Sequence, residues 1–305
     1  MERSSGDPAR GAFLDLGPGA GGLEAHYHEV GTGANYVLLV HTGGAGASAY
    51  MSWRWNFDAF ARAGYHVLAP DVPGYGLTPP SDPQARLTAQ DFLVRFMDAL
   101  GVTSAHVMGN SMGSNAIARL AANHPERVRS VIFTGGEPRI ETEGSRAVSR
   151  KLGQTPRTDF VREMLSKPDL SAEDLRNATA DFFYDRDHPA VGPVTEMRLE
   201  SLERPGVLER ERAHAFAQIQ GGRETFGADD LARITAPTYL IHGKDERYFY
   251  PADVLPTVID SAMRVCFVLP DCSCTLLSRC GHWPQIERAE EFNALALQFL
   301  ARVGR

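Results

Sequence analysis

Ser111 stands at the centre of the pentapeptide GNSMG, between the apolar run SAHVM and the helically spaced run NAIARLAANHPERV. A Gly-x-Ser-x-Gly turn from strand to helix holds its serine in strained backbone geometry with the hydroxyl exposed, and side chains at Gly109 and Gly113 would collide with neighbouring chain. Ser111 is therefore a candidate nucleophile. The same turn places the Met112 amide at the head of a helix, where it can meet negative charge developing on an attacked carbonyl oxygen. A serine nucleophile needs a base to take its proton and an acid to orient that base. His282 in CGHWPQIE is the candidate base, and Asp245 and Glu246, at the end of TYLIHGKDE, are the candidate acids. Glu137 in TGGEPRI is a third option for the acid, ranked behind them. A second oxyanion donor is expected from the glycine-rich HTGGAGASAY, with Gly43 as the candidate amide; the plain alternative is an ordinary glycine turn.

Other conspicuous residues take quieter readings. His41 and His242 sit at strand ends beside glycines and are expected to hydrogen-bond to backbone. His124 reads as an exposed residue at a helix end, and Trp53 and Trp55 either line the pocket or pack beneath it. The four cysteines, Cys266, Cys272, Cys274 and Cys280, fall in one short region. Their spacing does not match paired Cys-x-x-Cys ligands, and using His282 as a ligand would remove the base, so no metal and no cofactor are expected. Free thiols are the expected state. GPGAGG near the start precedes a strand where a dinucleotide fingerprint would link strand to helix, and it is rejected as one.

These residues need a scaffold. HYHEVG, NYVLLVHTGG, HVLAPDVPGYG, SAHVMG, SVIFTGG, TYLIHGKD and RVCFVLPD read as strands, with helical segments between most of them. That alternation predicts a mostly parallel, doubly wound α/β sheet whose ligands bind at the carboxyl ends of the strands. From 137 to 230 the strand rhythm stops in favour of DFVREMLSK, SAEDLRNATADFFYD, VTEMRLESLERPG and LERERAHAFAQI, which predicts a helical cap (lid). The core is then formed by 1–136 and 231–305. A length of 305 residues suits one such domain with an insertion, and a net charge of -7 argues against a nucleic-acid partner. Without a signal-like start or a membrane-length apolar run, the expectation is a cytoplasmic enzyme with a small-molecule substrate and no membrane partner, open to homo-oligomerisation.

The chain order of nucleophile, acid and histidine is that of the α/β-hydrolase fold. Within it, GNSMG, HTGGAGA, DVPGYGLT and CGHWPQIERAEEF resemble the meta-cleavage product hydrolases, which cut a carbon–carbon bond in ring-opened aromatic compounds. The resemblance covers most of the core and is weakest in the cap. It implies Ser111 as nucleophile, His282 as base, Gly43 and Met112 as oxyanion amides, and Asn110, Trp283 and Gly44 as substrate-binding residues. The family's acid position, three residues after the glycine that ends the strand, falls on Glu246. RLESLERPG resembles the segment whose arginine holds a substrate carboxylate, which points to Arg198; the plain alternative is an ion pair with a nearby glutamate. Thr42, Ala45 and Ser114 depart from the family pattern and would suit a relative that has moved to esters. The resemblance thus implies a hydrolase of a carboxylate-bearing, aromatic-derived compound, acting on an ester or on a carbon–carbon bond beside a ketone. Two alternatives are a broad esterase or lactonase without a carboxylate anchor, and a receptor that binds without turnover.

Overall fold

The computed structural model describes residues 10–82, 84, 87–136, 138, 170–210, 212, 226–246 and 255–304. Eight strands form one sheet in the order β1-β2-β4-β3-β5-β6-β7-β8. They are β1 (Ala12–Asp15), β2 (Glu24–Val30), β3 (Asn35–Val40), β4 (Tyr65–Pro70), β5 (Ala105–Asn110), β6 (Val128–Thr134), β7 (Thr238–Gly243) and β8 (Cys272–Leu277). At one edge β1 pairs antiparallel with β2 and β2 antiparallel with β4, and the other five pairs are parallel.

The central strands read as unbroken apolar runs because both of their faces are covered. Successive residues of a strand point to opposite faces. In β3, Val37 and Leu39 enter one core cluster, while Leu38 and Val40 enter the other. The first cluster is closed by α1 (Ala49–Trp53), α2 (Phe57–Arg62) and α10 (Ala289–Val303), through Trp53, Phe57, Phe60, Phe292 and Phe299. The second is closed by α3 (Ala89–Ala99) and α4 (Met112–Asn123), through Phe92, Phe96, Ile117 and Leu120. Each such side chain removed from water contributes on the order of 1.5–3 kcal/mol, so the parallel core holds the strand ends rigidly. Trp53 is fully buried and packs against Phe292 at a ring distance of 6.1 Å, which makes it a core residue.

Between β6 and β7 the described residues form α5 (Ala172–Ala180), α6 (Val191–Leu202) and α7 (Ala228–Ala232). Helix α5 starts at a capping box in which Ser171 Oγ accepts from the Asp174 amide and the Asp174 carboxylate accepts from the Ser171 amide. Leu175, Ala178, Leu202 and Val207 form a small separate core that also takes in Ala45, from the loop after β3. DFVREMLSK and most of LERERAHAFAQI lie outside the described residues.

One expected strand is not a strand. RVCFVLPD is largely the end of α8 (Leu255–Val268), and the last strand is the following CSCTLL. The β-branched letters of Val265 and Val268 suggest a strand, but the burial pattern has a helical period. Ala262, Val265 and Leu269 are buried at spacings of three and four, whereas Phe267 is 85% exposed. The short helix α9 (Pro284–Glu287) follows β8 and leads into α10. All four cysteines are free thiols, and burial pushes the Cys280 thiol far above its ordinary range. Among the described residues, no helix is long and apolar enough to cross a membrane.

Candidate active site

Ser111 follows the last residue of β5 and caps α4 with φ 54° and ψ -107°. This is a costly conformation for a residue with a side chain, on the order of 1–3 kcal/mol, and it persists only because its surroundings enforce it. Two glycines make that enforcement possible. A Cβ on Gly109 would stand 2.5 Å from the Gly113 carbonyl carbon, and one on Gly113 would stand 2.3 Å from the Val40 oxygen. Helix α4 can therefore pack directly on β5 and β3, with Ser111 raised at its head. Ser114 closes the turn from inside, its hydroxyl donating to the Gly109 carbonyl at 2.8 Å. This departure from the family pattern is thus a brace within the elbow, not a group facing the reacting carbon.

The loops after β7 and β8 bring two further side chains to Ser111. His282 Nε2 lies 3.1 Å from Ser111 Oγ, and His282 Nδ1 lies 2.7 Å from Glu246 Oε2. His282 is 2% exposed and Glu246 1%. With Glu246 ionised, the Nδ1 hydrogen is donated to the carboxylate. The Nε2 lone pair then faces the serine hydroxyl, the tautomer a general base requires. Asp245, ranked nearly level with Glu246 from the sequence, points elsewhere: its Oδ2 accepts from the exposed Arg279 amide at 2.7 Å. Glu137 lies outside the described residues. His242 lies beside the same acid, its Nε2 3.6 Å from Glu246 Oε1, with both side chains buried. A strand-end histidine four residues before the acid was the available signal.

The loop after β3 approaches from the opposite side. A Cβ on Gly43 would lie 3.2 Å from both Cβ and Sδ of Met112, so the two backbones face each other across a narrow gap. Met112 is the first residue of α4, where amides have no partner within the helix. Gly44 has φ 102°, and space for a side chain is open beside it. The loop is anchored by a buried network that sequence reasoning missed. Asp71 Oδ1 accepts from the Ala49 amide at 2.7 Å, and its Oδ2 accepts from the Leu77 amide at 2.9 Å and from His26 Nδ1 at 2.7 Å. His26 Nε2 donates to the Arg10 carbonyl at 3.0 Å, so both ring nitrogens face acceptors, an arrangement that favours the charged imidazole. Burial works against that charge, but the Asp71 carboxylate outweighs it and raises the His26 pKa. His41 does the reverse. Its Nδ1 donates to the Thr42 carbonyl at 2.6 Å while its Nε2 accepts from the Val72 amide at 2.9 Å, and burial lowers its pKa.

Helix α6 places Arg198 over this loop. Arg198 is 4% exposed; its Nε donates to the Ala45 carbonyl at 2.8 Å and one terminal nitrogen to Thr179 Oγ1 at 2.7 Å. It bonds to the glycine loop and to α5 where the plain expectation was a solvated ion pair with a glutamate. Phe182 lies 5.8 Å from the guanidinium and stacks on Trp283 at 4.1 Å, with its ring 5.6 Å from that of His282. Arg198, Trp283 and His282 are thus gathered around one aromatic ring that the sequence did not single out. Asn110 is fully buried and donates to the Thr134 carbonyl at 3.1 Å.

The family model for the alpha/beta hydrolase fold matches residues 36–289. The chain is 32% identical, over 95% of its length and 96% of the relative's, to a 2-hydroxy-6-oxononadienedioate/2-hydroxy-6-oxononatrienedioate hydrolase of Pseudomonas sp. A protein of the same description from Burkholderia vietnamiensis is 31% identical over 92% of each chain. Among solved structures, the meta-cleavage product hydrolase CumD of Pseudomonas fluorescens IP01 superposes with a TM-score of 0.75 at 27% identity, covering 98% of this chain and 100% of that one.

Proposed function

This chain is a hydrolase that belongs to the α/β-hydrolase family, akin to its meta-cleavage product hydrolases, and we propose that Ser111, His282 and Glu246 are its catalytic triad. The observation that carries the reading is the continuous line from Ser111 Oγ through the buried His282 to the buried Glu246, at 3.1 and 2.7 Å. His282 takes the serine proton as Oγ attacks a carbonyl carbon. The resulting oxyanion rests on the amides of Gly43 and Met112, and His282 returns the proton to the departing group. Water, activated by the same imidazole, then releases the acyl group. Glu246 keeps the imidazole in the required tautomer and stabilises its charged form.

The substrate we propose is a small carboxylate-bearing compound derived from an aromatic ring, cleaved at an ester or at a carbon–carbon bond next to a ketone. Support comes from the dienedioate hydrolases among the relatives and from Arg198, a buried guanidinium above the glycine loop. A guanidinium presents paired donors that fit a carboxylate. Asn110, Gly44 and Trp283 complete the binding residues, the helices between β6 and β7 act as a cap that excludes water, and no cofactor takes part. One observation favours a second reading, an esterase or lactonase without a carboxylate anchor: Arg198 already donates to Ala45 and Thr179, which is also what a purely structural arginine would do.

A paired assay separates these readings. A ring-fission dienoate and a series of aromatic monoesters, charged and uncharged, are each offered to the wild type and to Ser111→Ala. Loss of the dienoate's visible absorbance at an enzymatic rate selects carbon–carbon cleavage, and turnover of monoesters alone selects ester hydrolysis. Full turnover by Ser111→Ala would overturn the mechanism.

A further inference from the structure

We propose that Glu287 is a positioning residue of the active site: its carboxylate clamps the segment carrying His282 onto the turn between α5 and α6. The inference rests on the reading of Ser111 and His282 as nucleophile and base. Glu287 is 7% exposed and closes the short helix α9, five residues after His282. Its Oε1 accepts from the Tyr184 amide at 2.9 Å and, more weakly, from the Asp185 amide at 3.3 Å. Its Oε2 accepts from the Gly281 amide at 2.6 Å. Three main-chain donors from two separate segments thus converge on one buried carboxylate. One donor immediately precedes His282, and the other two precede the helix that carries Arg198.

The packing around this carboxylate is backbone against backbone. The His282 amide donates to the Phe182 carbonyl at 2.7 Å. A Cβ on Gly281 would stand 2.4 Å from that same carbonyl oxygen and 2.8 Å from the Tyr184 nitrogen. The loop carrying the base therefore takes its position from the inserted helices as well as from β8, and Glu287 is the side chain that joins them. The segment needs a side-chain acceptor here because amides turned inward at a close backbone crossing find no water. A buried carboxylate receiving several main-chain hydrogen bonds satisfies them at once.

Glutamine at 287 keeps the shape but offers one acceptor oxygen, so its amide nitrogen must face either Gly281 or Tyr184 donor to donor. The test follows labelling of Ser111 by a fluorophosphonate, which reports nucleophile activation whatever the natural substrate is. Rate against reagent concentration is measured for wild type, Glu287→Gln, Glu287→Asp and Gly281→Ala, with melting temperature and far-ultraviolet circular dichroism recorded for each. The expectation is a fall of tenfold or more in the saturating rate for folded Glu287→Gln and Gly281→Ala, little change in half-saturation, and partial recovery in Glu287→Asp. The double variant should lose less than the product of the single losses, because both changes break one clamp. A folded Glu287→Gln that labels within twofold of wild type overturns the proposal. Should the variants not fold, amide exchange in the wild type decides. Strong, matched protection of Gly281 and Tyr184 supports the clamp, and solvent-like exchange at either overturns it. A wild type that the reagent does not label at Ser111 refutes the proposed nucleophile, and the exchange result then separately shows whether the clamp exists.

Discussion

Glu246 Oε2 accepts the Nδ1 hydrogen of His282 at 2.7 Å, and both side chains are buried. A carboxylate in this place serves by its charge as well as its geometry. Glu246→Gln keeps an acceptor but removes the charge that stabilises the imidazolium, and it also permits the wrong tautomer. Its kcat on any turned-over ester should fall about a thousandfold or more. Asp245→Asn, whose carboxylate faces the exposed Arg279 amide, should stay within a few-fold of wild type. Steady-state kinetics of the two variants decide between the neighbouring acids, and equal losses would argue against Glu246.

Arg198 separates anchor from brace. As a carboxylate anchor it contributes a charge-assisted pair, about 1.5–3 kcal/mol, so Arg198→Lys should raise KM for a carboxylate-bearing substrate by roughly tenfold to a hundredfold. A neutral ester of the same acyl group should change little. If Arg198 only holds the Ala45 carbonyl, both substrates should lose kcat equally, through disturbance of the glycine loop. The ratio of the two kcat/KM values is the deciding measurement.

His106 is a buried source of acid sensitivity. Its Nδ1 pairs with Ser130 Oγ at 2.8 Å inside the sheet, and burial, aided by Arg129, lowers its pKa from 6.5 to about 4. The unfolded chain takes up a proton as pH falls through 6.5, while the folded chain does not until about 4. Stability must therefore decline across that window, by about 3 kcal/mol in all. His106→Asn, which can still bond Ser130, should flatten this part of the curve of urea-unfolding free energy against pH.

His26 carries the opposite sign. Burial opposes its charge, but Asp71 raises its pKa above the unfolded value of 6.5. Its contribution is fully present below that value and is lost as pH rises through the raised folded pKa. Asp71 has its pKa lowered: burial opposes ionisation, but the hydrogen bonds from His26 and the Ala49 amide and the nearby imidazoles together outweigh it, so its contribution is lost only as pH falls through the folded value. Asp71→Ala leaves a buried imidazolium without its partner and frees the Ala49 amide. Urea unfolding near pH 6 should show a loss of about 3 kcal/mol or more, and the loss should shrink as pH rises.

What the sequence by itself determined about this protein is local and periodic. Gly109, Ser111 and Gly113 between an apolar run and a helically spaced one predict a strand-to-helix elbow, and the alternation of short apolar runs with helical segments predicts a sheet covered on both faces. These follow from sterics and burial within a few residues. The tertiary structure decided whatever depends on where separate segments meet. Asp245 and Glu246 are adjacent in sequence, and only the packing of the loops after β7 and β8 turns one toward His282 and the other toward Arg279. Val265 and Val268 have strand-like letters, and only the opposite exposures of Val265 and Phe267 reveal a helix. Asp71 with His26, and Glu287 with Gly281 and Tyr184, are invisible to pattern reading because their partners are main-chain amides far along the chain. Any residue type carries an amide, so no spacing announces where one will need a carboxylate.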